Sequence, residues 1–107
     1  MALARTDATQ LRSRLDRDES LFLLDVREDW EFNLGHIPGS VHIPMGQITG
    51  RTDDIPQDRP IVCICHHGMR SEQVAHYLLQ QGWETVENLQ GGVDAWSLEV
   101  DPSVPRY

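Results

Sequence analysis

Lysine is missing from this chain: all nine of its cations are arginines, set against 17 aspartates and glutamates for a formal net charge of −8. Without lysine there is no Schiff-base chemistry and no phosphate-loop lysine. The acidic balance leaves no basic footprint for nucleic acid or for an anionic membrane. Cysteine is scarce. Cys63 and Cys65 are the only two, and they lie too close along one strand for an unstrained disulfide. In a reducing compartment both are expected as free thiols. Long apolar runs are lacking too, so no segment reads as a membrane span. The opening MALARTDATQLRSRLD has no apolar signal core. The expected location is the cytoplasm.

What remains is an ordinary globular composition, 39% hydrophobic and 24% charged, in 107 residues without internal repeat or low-complexity tract. That length supports one domain with one core. Asp7 to Gln10 reads as a capping box that opens a helix with Leu11 and Leu15 on its buried face. Ser20–Val26 is a short, almost continuously apolar run, as in a strand buried on both faces. Glu28–Leu34 predicts a short helix stopped by Gly35. Val41-His42-Ile43 predicts a second strand and Met45–Ile55 an irregular helical stretch. Ile61–Cys65 predicts a third strand. Arg70–Gln81 is spaced as a helix with Val74, Tyr77, Leu78 and Gln81 in one stripe, stopped by Gly82. Thr85–Leu89 predicts a fourth strand, and Gly91-Gly92 opens a short helix over Val93–Trp96. The tail from Asp101 to Pro105 is expected to run over the surface without helix.

Strands alternating with helices imply an α/β fold around a parallel sheet, with sites beyond the carboxyl ends of the strands. Three segments qualify: Asp25-Val26-Arg27, Cys65 to Ser71, and Leu89 to Gly92. In the second, the chain must curl from strand to helix through Cys65-His66-His67-Gly68-Met69-Arg70-Ser71, and Gly68 permits the bend. A curled loop at a helix N-terminus turns backbone N–H groups inward as an anion nest. The thiolate is the anion such a nest stabilises, so Cys65 reads as reactive and Cys63, mid-strand, as a small hydrophobe. Arg70 adds a positive charge for an oxyanion such as the sulfonate end of thiosulfate.

Several other residues invite chemistry and mostly read as structural. His66 and His67 lack the separated ligand pairs of a zinc site and read as surface loop residues. Asp25 and Arg27 read as an ion-pair region at a strand end, with Arg27 paired to Glu31 and Asp25 in reach of the Cys65 loop. His36 reads as a turn residue, and His42 and His76 as half-exposed without chemistry. Trp83 and Trp96 read as packing, and Trp30 as a residue that could flank the pocket.

Taken together, the motifs resemble a known family. Asp25-Val26-Arg27-Glu28, Glu31-Phe32 and Gly35 to Ser40 look like the leading signatures of rhodanese-like domains. Cys65 to Ser71 is similar to the family's active-site loop, and Asn88 to Trp96 to its closing motif. The resemblance spans roughly residues 6–100 and implies a single domain over 1–107 with an extended tail from 101. It implies a three-layer sandwich: a parallel five-stranded sheet with helices on both faces, the fifth strand short and near the N-terminus.

The chemistry it implies is sulfane sulfur transfer through a Cys65 persulfide. Backbone N–H groups from His66 to Ser71 would hold the persulfide, with Asp25 and Arg27 in support. No metal or organic cofactor is required. The donor would be thiosulfate or a persulfide. The acceptor would be a thiol, cyanide or a protein, the last including a ubiquitin-like sulfur carrier, which the tail Trp96 to Pro102 also suggests. Two other readings compete: a non-catalytic binding module, and a phosphatase or arsenate reductase. Related phosphatases use a loop one residue longer than the four residues that separate Cys65 from Arg70 here.

Overall fold

The computed structural model describes residues 3–107. Five parallel strands, β1 (Ala4–Asp7), β2 (Phe22–Asp25), β3 (Val41–His42), β4 (Ile61–Ile64) and β5 (Val86–Gln90), form one sheet in the order β1-β5-β4-β2-β3. Three helices connect strands, α1 (Ala8–Asp16), α2 (Asp29–Leu34) and α3 (Met69–Gln80), and a fourth, α4 (Gly92–Glu99), follows β5. Two 3-10 segments, Met45–Gly50 and Thr52–Asp54, occupy the stretch read as irregularly helical.

The period-two alternation of the central strands divides the core in two. Leu24, Ile61, Cys63 and Val86 face Val74, Ala75 and Leu78 of α3, with Ile48 and Ile55 from the 3-10 stretch. Leu23, Val62, Ile64 and Leu89 face Leu11 of α1 with Val93 and Trp96 of α4. Both faces of β2 and β4 are therefore buried, which is why these strands read as unbroken apolar runs.

Several expectations need correction. β1 was not legible from residue pattern; it is a short edge strand paired only with β5, and Asp7 ends it while also capping α1. The capping box is present, with the Gln10 N–H donating to Asp7 Oδ1 at 2.8 Å and the Asp7 N–H to Gln10 Oε1 at 3.0 Å. Gln81 is exposed; the buried stripe of α3 is Ser71, Val74, Ala75 and Leu78. Gly35 ends α2 in an extended conformation, φ 161°, and not in a left-handed cap. Its lack of a side chain serves packing, because a Cβ there would lie 2.6 Å from Pro105 Cδ. The last helix runs three residues past Trp96.

The tail runs without helix and largely over the surface, as expected, but it is anchored. Val104 is buried in the α1/α4 core, and the Ser97 hydroxyl donates to the Val104 carbonyl at 2.5 Å. Among the described residues, no helix is long and apolar enough to cross a membrane.

Candidate active site

The three segments singled out at carboxyl ends of strands do meet, because β4 lies between β2 and β5. Cys65 follows the last residue of β4 directly and is 1% exposed. Its sulfur accepts the Gly68 N–H at 3.0 Å and faces the Ser71 hydroxyl at 3.3 Å. Ser71 also donates to Asn88 Oδ1 at 2.5 Å, and Asn88 Nδ2 donates to the Gly68 carbonyl at 2.9 Å. Asn88 of β5 thus ties both sulfur-facing residues together. The Ser71 hydroxyl has one proton and two acceptors in reach, Asn88 Oδ1 and the Cys65 sulfur, of which Asn88 is the nearer. Asn88 was read only as part of a closing motif; that it holds the loop depends on a strand pairing distant in sequence.

Two glycines shape this loop. Gly68 has φ +109°, and a Cβ there would press on the Leu89 carbonyl at 3.3 Å. Gly92 lies so close that a Cβ would overlap the carbonyls of Cys65 and His66. The N-terminus of α4 uses that closeness: Val93 N–H donates to the Cys65 carbonyl at 2.9 Å and Asp94 N–H to that of His66 at 3.1 Å. The last motif is therefore a brace for the first turn of the loop.

The charged residues pair differently from expectation. Asp25 and Arg27 are both fully buried and bind each other, Nη2 to Oδ2 at 2.8 Å and Nε to Oδ1 at 3.0 Å. Arg27 also donates to the Gly35 carbonyl at 2.8 Å and to the Tyr107 hydroxyl at 3.1 Å. No hydrogen bond joins Asp25 to the Cys65 loop, and Arg27 does not pair with Glu31. Glu31 instead takes Arg70 in a bidentate pair, at 2.6 and 2.9 Å. The Arg70 bonds, and after burial the bond from Tyr107, hold the Glu31 carboxyl down at about 2.

Tyr107 went unnoticed in the sequence. Its ring stacks on His66 with centroids 3.9 Å apart, and Trp30 meets it edge-on at 5.6 Å. Nothing in a lone terminal tyrosine signals this. Trp30 does flank the site, through Tyr107.

His36 and His42 are accounted for by their contacts, whereas His66 Nε2 is buried without a hydrogen-bond partner among the described residues. His36 Nδ1 bonds the Phe32 carbonyl at 3.0 Å, and His42 Nε2 that of Arg27 at 2.7 Å. Burial, then the neighbouring His67, push the His66 imidazole below its ordinary pKa. His66, His67 and Asp94 place possible metal-ligand atoms within 4.8 Å of one another. The two imidazoles are stacked, 3.9 Å apart at 25°, so their in-plane lone pairs run side by side and do not converge on one ion.

The rhodanese-like domain profile matches residues 7–99. The chain belongs to the rhodanese-like domain family. A sulfurtransferase of Allochromatium vinosum is 42% identical over 91 residues, 85% of either chain. The thiosulfate sulfurtransferase GlpE of Pseudoalteromonas translucida is 34% identical over 99% of this chain and 100% of its own. UBA4 of Meyerozyma guilliermondii, named an adenylyltransferase and sulfurtransferase, is 34% identical over 85% of this chain, which spans 23% of that protein. Among solved structures, a rhodanese-like domain protein of Staphylococcus aureus superposes with a TM-score of 0.86 at 27% identity, covering 98% of this chain and 99% of that one. The rhodanese-like fold thus accounts for the parallel five-stranded sheet and for the loop at its centre.

Proposed function

We propose that this chain is a sulfurtransferase that carries a sulfane sulfur on Cys65. The observation that carries this reading is the Cys65 sulfur at the end of the central strand, accepting the Gly68 N–H at 3.0 Å beside the Ser71 hydroxyl. The Gly68 N–H is aimed at the sulfur, and the Ser71 hydroxyl, held by Asn88, stands within hydrogen-bond reach of it. The relatives' sulfurtransferase names support the class of reaction.

In the first step the Cys65 thiolate attacks the outer sulfur of a donor. A Cys65 S–S bond forms, the donor's S–S bond breaks, and its electron pair leaves with sulfite or a thiolate. The first-turn N–H groups of α3, from Met69 to Ser71, have no intrahelical acceptor and would receive the added sulfur. His66, His67 and Gly68 would complete the cradle. In the second step a thiol, cyanide or protein acceptor attacks the outer sulfur and restores the Cys65 thiolate. Ping-pong kinetics follow from two half-reactions through one covalent intermediate. Asp25 and Arg27 support the site from outside it, by fastening β2 to Gly35 and Tyr107. A protein acceptor of the ubiquitin-like sulfur-carrier kind is among the acceptors this reading allows. A nucleophile that must stay reduced suits a cytoplasmic location, and residues 1–107 would act as one domain.

The test is intact-mass spectrometry after incubation with thiosulfate or a low-molecular-weight persulfide. One added sulfur atom on the native chain, absent from Cys65→Ser, is the expected result. A native chain that gains no sulfur from either donor, yet binds a partner equally well after Cys65→Ser, is a binding module instead. Cys65-dependent hydrolysis of an aryl phosphate would point to the phosphatase reading, which the short loop opposes.

A further inference from the structure

Resting on that reading, we infer that Glu31 sets the charge selectivity of the site: by occupying Arg70 it turns the loop away from the thiosulfate dianion and towards persulfides carried on thiols. Arg70 is the only arginine of the Cys65 loop and stands in the first turn of α3, beside the Ser71 that faces the sulfur. An oxyanion receptor needs that guanidinium free. Both of its terminal nitrogens are engaged by the Glu31 carboxylate, at 2.6 and 2.9 Å, and the Glu31 side chain is 4% exposed.

The carboxylate is fixed from two more directions. Glu28 N–H donates to Oε1 at 2.9 Å and the Tyr107 hydroxyl to Oε2 at 2.6 Å. Swinging Arg70 onto a substrate would leave a buried carboxylate without its charged partner, a strongly unfavourable exchange. The pair is permanently ionised near neutrality, because Arg70 holds the Glu31 carboxyl at about 2. Its net charge is zero. An incoming dianion thus meets a pair of zero net charge in a protein of net charge −8.

A thiol-borne persulfide needs no oxyanion receptor. The Cys65 thiolate attacks the outer sulfur of R–S–SH, a Cys65 S–S bond forms, the donor S–S bond breaks, and the electron pair departs as the thiolate R–S⁻. Charge and atoms balance without any oxidant. Glu31 acts through Arg70 and is a positioning residue, not a catalytic one.

Iodoacetate and iodoacetamide have nearly the same size and differ by one charge, so their alkylation rates at Cys65 report the field there without requiring any sulfur transfer. For the native chain the iodoacetate-to-iodoacetamide rate ratio is expected to be no higher than that of a free thiol. Glu31→Gln keeps hydrogen-bonding capacity and releases the Arg70 charge; the ratio should rise on the order of fivefold. The rate of sulfur loading from thiosulfate, relative to glutathione persulfide, should rise in parallel. The double variant Glu31→Gln/Arg70→Gln removes both charges and should return the ratio to within about twofold of native. That arm holds even if the single variant folds poorly.

A native ratio well above that of a free thiol, falling in the double variant, would mean Arg70 already receives anions, and the inference fails. So would a single variant that folds with an unchanged ratio. If the ratios behave as expected but no sulfur is ever loaded, the selectivity stands and the transferase reading falls.

Discussion

Cys63 and Cys65 are two residues apart, point to the same face of the sheet and are almost equally enclosed, at 0% and 1% exposure. Cys63 sits within β4 between Leu24 and Asn88 of the neighbouring strands, and burial pushes its thiol well above its ordinary pKa. Cys65 lies one residue beyond the strand, where the chain turns and a backbone N–H and a hydroxyl face its sulfur. Burial therefore does not distinguish the two thiols. What distinguishes them is whether the surrounding donors are already used by the sheet ladder or are left free to meet the sulfur.

Exchanging the chemistry of the two positions tests this contrast most severely. Cys65→Ser should lower sulfurtransferase turnover by about 10³-fold or more. Cys63→Ala should leave turnover within roughly threefold while costing about 1–2 kcal/mol in stability, as a small cavity does. Steady-state assays and denaturant melts of both variants check this. A Cys63→Ala chain as dead as Cys65→Ser would end the distinction.

A smaller effect is expected from Ser71→Ala, which removes one of the two sulfur-facing donors and leaves Asn88 Oδ1 without its proton. Loading of Cys65, followed by rapid-quench mass spectrometry, should slow roughly tenfold. The alkylation rate of Cys65 should fall with it, whereas that of Cys63 in the unfolded chain should not change.

The smallest effects concern pH. Cys63 has a raised pKa when folded, so its contribution to stability is full below the ordinary thiol pKa of about 8.5 and is lost as pH rises beyond it. Cys63→Ala should flatten that alkaline limb. Glu31 has the opposite sign. Its carboxyl is held at about 2 by Arg70, so its contribution is present above the ordinary carboxylate range and disappears as pH falls towards 2. Thermal melts of Glu31→Gln should lose that acid limb, worth on the order of 2 kcal/mol. Equal pH profiles for native and variant chains would show that neither group is linked to folding.

The local readings that succeeded share one feature: their cause lies within a few residues. The Asp7–Gln10 box, the buried runs of β2 and β4, the stop at Gly82 and the turn at Gly68 each depend on neighbours along the chain. The placement of Cys65 past the end of its strand, unlike Cys63 within it, was legible for the same reason, since a glycine and a helix start follow one and not the other. What the residue pattern did not reveal needed distant partners. Edge strand β1 exists because β5 offers it a free side, and its own residues carry little apolar signal. Gly35 read as a helix stop, yet its lack of a Cβ matters for Pro105, seventy residues away.

From the sequence alone came the parallel α/β architecture and the loop that presents one cysteine. These follow from periodicity, turn chemistry and composition, which are properties of short stretches. Tertiary structure decided who pairs with whom: Asp25 with Arg27, Glu31 with Arg70, Asn88 with Ser71, and Tyr107 over His66. A carboxylate can meet any of several arginines until the fold fixes distances, and only then does a loop's positive charge prove to be already spoken for.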